Sequence, residues 1–429
     1  MTSILPKHIL FLLFATLAIN TLASDTLRVM HYNLLYYGAN TTFCTSSNNN
    51  STSKEYYLRT ILAHDLPDIF TVNEISSSDI FHQRILTTVL SQITTISYSM
   101  ANCPNLAGSN IVNMLYYNNQ KLTLHNQEVL QSMVRDIDLY TLYYNSPELQ
   151  QGDTVYLHCI VAHLKAGNTS SDQQQRSTMT LNALNYLHAY KQPGNYLFLG
   201  DLNLYNSSEP AFQNLLYYSI TNYRFYDPIN QVGSWSGNAS YSNYHTQSTR
   251  TSSSGCHSTG GMDDRFDFIL ISNDIRLGYD KAKYIVGSYR AMGQDGQRLN
   301  KSLLDSPFNS AAPLAVLEAL YYMSDHLPVL LSIEIDQEPA IGIKPIAAEL
   351  DLSVTNPVED ILLIHTQGLS PLTHYHVEII SLQGAVLLQQ SGIVDGNQIS
   401  IPVRHFRRGF YLVNIRMLNS NKVLKVIKL

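Results

Sequence analysis

The stretch "YLFLGDLNLY" (196–205) carries the pattern that most restricts what this chain can fold into. A short apolar run stops at Gly200 and then delivers a carboxylate, Asp201, and a carboxamide, Asn203, two residues apart. Runs of this kind read as strands, and turn chemistry alone accounts for one Asp and one Asn at a strand end. The pattern repeats, however. Asn33 closes "VMHYN", Glu74 closes "IFTVNE", His163 closes "IVAH", Asp267 opens "DFILIS", and Asp325 and His326 open "HLPVLLSI". A sheet scaffold projects groups at strand ends from one rim. The spacing therefore predicts that these side chains meet.

Between the strand runs lie helical patterns, which makes the class α/β. "LRVMHYNLLYY" (27–37) and "PDIFTVNEI" (67–75) flank "KEYYLRTILAH" (54–64), whose apolar spacing is helical. Strands are also predicted at 113–118, 154–164, 196–200, 266–272 and 327–335, and a helix over about 171–190. That helix opens with Ser171 and has Gln174 three residues on, a capping-box pattern. Residues 232–262 form a long Ser/Thr/Gly-rich loop, and a loop that long in a compact domain is functional or disordered.

The residue types specify a chemistry. Glu74, Asp201, Asp267 and Asp325 gathered in one cleft repel one another and call for a cation. Oxygen ligation favours Mg²⁺, with Mn²⁺ or Ca²⁺ as alternatives, over zinc. His163 and His326 add groups that carry protons near neutral pH. A cation, an oriented histidine and water-positioning polar groups together suit hydrolysis of a phosphate ester. The acidic balance, net −6 over the chain and −8 over residues 25–336, is not the basic footprint of a strong nucleic-acid binder. Local phosphate contacts would fall to Lys165, Arg135 and Arg265. His245 and His257, in the long loop, read as satisfied loop histidines.

Taken in order, "HYNLL" (31–35), "NEI" (73–75), "HLKAG" (163–167), "GDLN" (200–203), "DRFDFIL" (264–270) and "SDHLPV" (324–329) resemble the signatures of the endonuclease/exonuclease/phosphatase superfamily. That superfamily includes pancreatic-type deoxyribonucleases, apurinic endonucleases and bacterial sphingomyelinases. The resemblance spans nearly all of residues 25–335 and implies a four-layer α/β sandwich, two packed mixed sheets flanked by helices. It implies Glu74 as principal metal ligand, with Asn33 and Asp325 near the ion. Asp267 would orient His326, and that pair would activate water or contact the phosphate. His163 would contact the phosphate or protonate the leaving oxygen, while Asp201 and Asn203 would position the nucleophile. Arg135 matches a phosphate-facing arginine of some members. The implied activity is divalent-metal-dependent phosphodiester hydrolysis by a monomer, with nucleic acid as substrate and a sphingomyelin-type lipid as the alternative. Deoxyribonuclease-like members carry a glutamate just before the strand matching 113–118; here "GSNIVNM" (108–114) has no carboxylate.

The ends of the chain read differently. Lys7 and His8 precede the apolar run 9–19 and the small residues of "TLAS" (21–24), the pattern of a cleavable export signal over residues 1–24. No other run is long enough for a membrane span. Of the four cysteines, Cys44, Cys103 and Cys256 lie in polar sequence where a disulfide is plausible, and Cys159 lies in an apolar run as a buried thiol. A proline-containing linker, 336–350, leads to short alternating β runs over 351–429, a small all-β sandwich without catalytic-type groups. "NPVEDILLI", "EIISLQGAVL", "RRGFYLVNI" and "KVLKVIKL" resemble the type A C-terminal sorting domain read by the type IX secretion machinery. That resemblance implies transit through the periplasm, then secretion or display at the cell surface.

Overall fold

The computed structural model describes residues 24–337 and 352–429, apart from residues 94, 147–148, 150–152, 254, 367–373, 383, 395–397 and 418–419. The export-signal segment and nearly all of the linker lie outside the described residues. The chain divides into two compact units, Met1–Pro339 and Ala340–Leu429.

In the first unit the strands are β1 (Ser24–Tyr37), β2 (Ile69–Ser76), β3 (Tyr98–Met100), β4 (Ile111–Asn118), β5 (Leu122–Gln131), β6 (Ile137–Tyr144), β7 (Tyr156–His163), β8 (Tyr196–Asp201), β9 (Phe225–Tyr226), β10 (Asp267–Ser272), β11 (Ala282–Tyr284), β12 (Arg290–Ala291) and β13 (Val329–Asp336). The helices are α1 (Ser51–Asp65), α2 (Asp79–Arg84), α3 (Ser170–Tyr190), α4 (Pro210–Tyr217), α5 (Asn273–Leu277) and α6 (Leu314–Met323). One sheet runs β11-β13-β1-β2-β4-β3, with β12 also on β13; the other runs β5-β6-β7-β8-β10-β9. Both are mixed: β1 with β2 and β7 with β8 are parallel, and the remaining pairs are antiparallel.

Three apolar cores give four layers. Leu27, Val29, Leu115, Val161, Leu199, Ile269 and Leu331 pack between the sheets. Leu58, Ile61 and Leu62 of α1 and Leu317 and Leu320 of α6 cover the outer face of the first sheet. Met179, Leu184 and Leu187 of α3 and Phe212 and Leu215 of α4 cover the second. Strands buried on both faces explain the near-continuous apolar runs in β1, β7, β8 and β10. The α3 start differs from the expected one. Thr169, not Ser171, caps it: Thr169 Oγ1 accepts the Asp172 N–H at 3.2 Å, and Asp172 Oδ2 accepts the Thr169 N–H at 3.1 Å. A carboxylate at a helix N-terminus gains from the helix dipole, which an amide at Gln174 does not.

The second unit is all β. Strands β14 (Leu352–Val354), β15 (Ile361–Thr366), β16 (His374–Ser381), β17 (Val386–Ile393), β18 (Gln398–Pro402), β19 (Gly409–Met417) and β20 (Ser420–Lys428) form two antiparallel sheets, β14-β15-β18 and β17-β16-β19-β20. Leu362, Ile364, Val377, Ile399, Val413 and Ile415 fill the core between them.

Candidate active site

Strand directions bring the polar strand ends to one rim. Parallel β1 and β2 carry Asn33 and Glu74 there, and parallel β7 and β8 carry His163 and Asp201. The antiparallel partners β10 and β13 bring Asp267 and the Asp325-His326 pair back to it at their N-terminal ends. Local backbone does the aiming. Glu74 is left-handed (φ 57°), where the β2–β4 register slips between Val72 and Ile75. An L residue costs about 1–2 kcal/mol in that region, so the carboxylate is held by other contacts. Oε2 accepts the Tyr36 N–H at 3.1 Å and Oε1 accepts Asn33 Nδ2 at 3.1 Å. Leu35 and Tyr36 are left-handed too, with φ 45° and 49°. Lys54, buried on α1, fastens that turn: its Nζ donates to Leu34 O, Leu35 O and Asn49 Oδ1, each at 2.7 Å. Burial pushes the Lys54 amine down to about 7, with Asp325 and Glu74 opposing.

On the second sheet, Gly200 (φ 151°) lets β8 approach β7 backbone to backbone; a Cβ there would sit 1.7 Å from Ala162 O. His163 Nε2 consequently lies 3.6 Å from Asp201 Oδ2 and 3.8 Å from Glu74 Oε1. One ligand atom from each of Glu74, His163 and Asp201 falls within 4.8 Å of the others. Asp201 Oδ2 also accepts Asn33 Nδ2 at 3.0 Å, and Oδ1 accepts the N–H of left-handed Asn203 at 3.0 Å. The Asn203 amide donates to Leu164 O at 3.3 Å. Burial pushes the Asp201 carboxyl up to about 7, with Asp267 and Glu74 adding and His326 opposing. Burial and the Asp325 charge hold Glu74 above the usual carboxylate range. His163 is held well below its ordinary range by burial and by the nearby Arg135 charge, so it is neutral.

His326 is the opposite case. Its Nδ1 donates to Asp267 Oδ2 at 2.7 Å, and both side chains are buried. Burial opposes its charge, but Asp267 and Asp201 outweigh burial and hold the imidazole well above its ordinary range. Ser324 Oγ donates to Asn33 O at 2.7 Å and accepts the His326 N–H at 3.1 Å, pinning this turn to β1. The Gln247 side-chain amide lies 2.7 Å from His326 Nε2. Gln247 comes from the long 232–262 loop and carried no sequence signal of its own. The loop also gives the Ser258 N–H, which donates to Asp325 Oδ2 at 2.8 Å. A disulfide between Cys44 and Cys256 ties the loop to the segment after β1, while Cys103 is free and Cys159 is a buried thiol.

The cations separate. Arg135 donates to Leu164 O at 3.1 Å, and its charge lowers Glu74 and His163, which puts it beside the site. Lys165 is paired with Asp172 at 2.9 Å. Arg265 is not a phosphate contact: it is fully buried in a two-pronged pair with Asp227, both contacts 2.9 Å, because a buried guanidinium keeps its charge only with a partner. His245 donates to Trp235 O at 2.8 Å through Nε2 while its Nδ1 is buried without a hydrogen-bond partner, and His257 is buried.

A divalent cation fits these groups. Two carboxylates, half-buried Glu74 and buried Asp201, share one amide and are both pushed toward protonation, and the buried Asp325 Oδ1 has no hydrogen-bond partner. The arrangement differs from the expected Glu74, Asn33 and Asp325 set in two respects. Asn33 turns its amide nitrogen to the carboxylates and spends its oxygen on the Leu35 N–H at 3.0 Å. Glu74, His163 and Asp201 are the groups whose ligand atoms converge.

Residues 356–429 match the family model of the secretion system C-terminal sorting domain, Por_Secre_tail. The β unit thus marks the chain for export, to be secreted or held at the cell surface. Among solved structures, TDP2 from D. rerio, complexed with a single-strand DNA product, is 12% identical with a TM-score of 0.45, covering 72% of this chain and 99% of that one. An endonuclease/exonuclease/phosphatase protein from Beutenbergia cavernae is 14% identical with a TM-score of 0.41, covering 94% and 100%. The human Nocturnin catalytic domain is 13% identical with a TM-score of 0.43, covering 72% and 97%. No curated protein sequence matches the chain. Among the described residues, no helix is long and apolar enough to cross a membrane.

Proposed function

We propose that residues 25–335 are a divalent-cation-dependent phosphodiester hydrolase that acts on nucleic acid outside the cytoplasm. The convergence of Glu74, His163 and Asp201 within 4.8 Å, beside the Asp267–His326 pair, carries this reading. Glu74 and Asp201, flanked by Asn33 and Asp325, would hold Mg²⁺ or Mn²⁺. When bound, the ion neutralises these carboxylates and offsets charge developing on the phosphoryl oxygens.

The protein groups divide the remaining work. Asp201, through the oxygen it does not give to the ion, and Asn203 two residues on would direct the attacking water. The His326 imidazolium, fixed by Asp267, faces the Gln247 amide at Nε2; in this charged form the amide must turn its oxygen to the Nε2–H, a place that a non-bridging phosphate oxygen would take. Burial and the Arg135 charge hold His163 in its neutral form, which still has one N–H and one bare nitrogen, so it can donate to a phosphate oxygen or contribute to the ion, and the leaving oxygen would take its proton from solvent water. Arg135 supplies a local positive charge that the acidic domain otherwise lacks. In this reading residues 351–429 are an address for the type IX machinery, and the chain passes through the periplasm on its way out.

A phospholipid is the second reading. Phe43, Ile80 and Leu106 are 72%, 67% and 67% exposed, on segments that leave β1, follow β2 and precede β4 at the site rim. The test is one panel with purified protein: duplex DNA, single-stranded DNA, RNA, sphingomyelin vesicles and a chromogenic phosphodiester, each with Mg²⁺, Mn²⁺ or Ca²⁺ and with EDTA. Cation-dependent cleavage of a nucleic acid is expected. Cleavage of sphingomyelin alone would move the assignment to lipid, and EDTA-resistant turnover would end the cation-dependent reading.

A further inference from the structure

We propose that Asp138, Asn113 and Asn73 form a buried relay that locks the two sheets together behind the active site and so positions Asp201 against Glu74. The relay is a chain of side-chain hydrogen bonds across the sandwich. Asn73 Oδ1, from β2, accepts the backbone N–H of Asp201 on β8 at 2.8 Å. Asn73 Nδ2 donates to Asn113 Oδ1, on β4, at 2.7 Å. Asn113 Nδ2 lies 2.9 Å from Asp138 Oδ2 on β6, 2.9 Å from Asp136 O and 3.2 Å from Val161 O. Asn73, Asn113 and Asp138 are 0%, 2% and 3% exposed.

Both ends of the chain have fixed polarity. A backbone N–H can only donate, and the two carbonyls, Asp136 O and Val161 O, can only accept. Asn113 must therefore turn its NH₂ to Asp138 and its oxygen to Asn73, which leaves Asn73 Oδ1 for Asp201. No amide can flip without setting donor against donor. β2 and β4 belong to one sheet and β6, β7 and β8 to the other, so the Asn73–Asn113 bond runs within the first sheet and the bonds at both ends of the relay cross the interior. Asn73 immediately precedes left-handed Glu74. One carboxamide thus fixes the strand carrying one acid and the backbone of the other. In apolar surroundings a buried donor left without its acceptor costs about 1–3 kcal/mol, so the relay resists any slide that would part Glu74 from Asp201.

The function assigned to the relay rests on the metal-dependent reading above, and the experiment keeps the two apart. Full-length Asn113→Ala and Asn73→Ala are compared with wild type and with Tyr140→Phe, a buried hydroxyl on β6 that makes no hydrogen bond. Mn²⁺ affinity is measured by calorimetry, kcat and KM on the best substrate of the panel, and exchange of the Asp201 amide by NMR. Loss of groups that orient metal ligands costs roughly 10–100-fold in affinity. Both relay variants are expected to bind Mn²⁺ about 10-fold or more weakly, to lose kcat with KM unchanged, and to exchange the Asp201 amide faster; Tyr140→Phe should change none of these. Wild-type Mn²⁺ affinity, kcat and amide exchange in a folded Asn73→Ala protein would overturn the relay. A wild type that binds no Mn²⁺ and cleaves nothing would overturn the metal-dependent reading, and amide exchange alone would then decide whether the relay holds the sheets.

Discussion

Replacing Asp267 by Asn tests the electrostatics of the site most directly. The substitution keeps the shape but puts an amide against His326 Nδ1, where a carboxylate now accepts at 2.7 Å. Asp267 is fully buried and His326 is 4% exposed. Removing one partner of a buried pair costs about 3–5 kcal/mol, which at 1.36 kcal/mol per pH unit is roughly 2–4 units off the imidazolium. Burial already pushes this imidazole down, and Asp201 remains to oppose it. His326 should therefore change from charged to largely neutral at pH 7, with loss of the Nε2–H offered to the phosphate. Turnover should fall by about 10²–10⁴-fold, the upper figure being the loss on the same Asp→Asn change in a Ser-His-Asp enzyme. The assay is a pair: kcat on the panel's best substrate, and the His326 ring signals followed by NMR from pH 5 to pH 9 (about two units either side of neutrality). An imidazolium that persists at pH 7 in the variant, or a loss under about 10-fold, would refute the assignment of Asp267 as the source of the charge.

Four further outcomes are expected. Glu74→Gln should abolish turnover with the fold intact by circular dichroism, since an anionic ligand at the convergence is lost; a near-wild-type Mg²⁺ titration would remove Glu74 from the site. Cys44→Ser with Cys256→Ser opens a link spanning 212 residues; it should cost about 2–5 kcal/mol in denaturant unfolding and reduce activity by freeing Gln247 and Ser258, so an unchanged midpoint and rate would refute the clamp. Asp201 is raised from 3.8 to about 7 in the folded protein. A group raised in this way contributes stability that is lost as pH rises from its unfolded value to its folded one, so in EDTA the melting temperature of Asp201→Asn relative to wild type should climb between about pH 4 and pH 7. A flat difference would mean that Asp201 is not the strained carboxyl. Removing residues 351–429 should leave catalysis intact and hold the protein in the periplasm; arrival of the truncated protein in the medium would sink the sorting role.

The strand ends were legible in the sequence because an apolar run followed by an abrupt Asp, Asn, Glu or His is a local signal. Eight residues marked in this way meet at one rim. The all-β tail was legible for the same reason, through its alternation. What escaped was non-local. β5 and β6 went unmarked because β5 mixes exposed polar residues into its run and turns no clean face inward. Arg265 read as a free cation because its partner, Asp227, lies 38 residues away. The capping box was placed two residues late, at Ser171 rather than Thr169. Asn73, Asn113 and Asp138 carried no local signal, since nothing in the sequence says that all three point into the interior. Gln247 was one polar residue in a polar loop, and only the disulfide and the fold bring it to His326. The orientation of the Asn33 amide is set by two carboxylates from other strands, which no reading of "HYN" contains.

Gly200 has a mechanical consequence. Because β7 and β8 touch backbone to backbone at that position, the backbones that carry His163 and Asp201 keep one spacing, and only the two side chains can turn to meet what is bound. Glu74 rides on a left-handed turn of the other sheet, and the Asn73 relay holds that sheet in place, so an ion of larger radius must be met by the Glu74 side chain and those two, and not by a shift of either sheet.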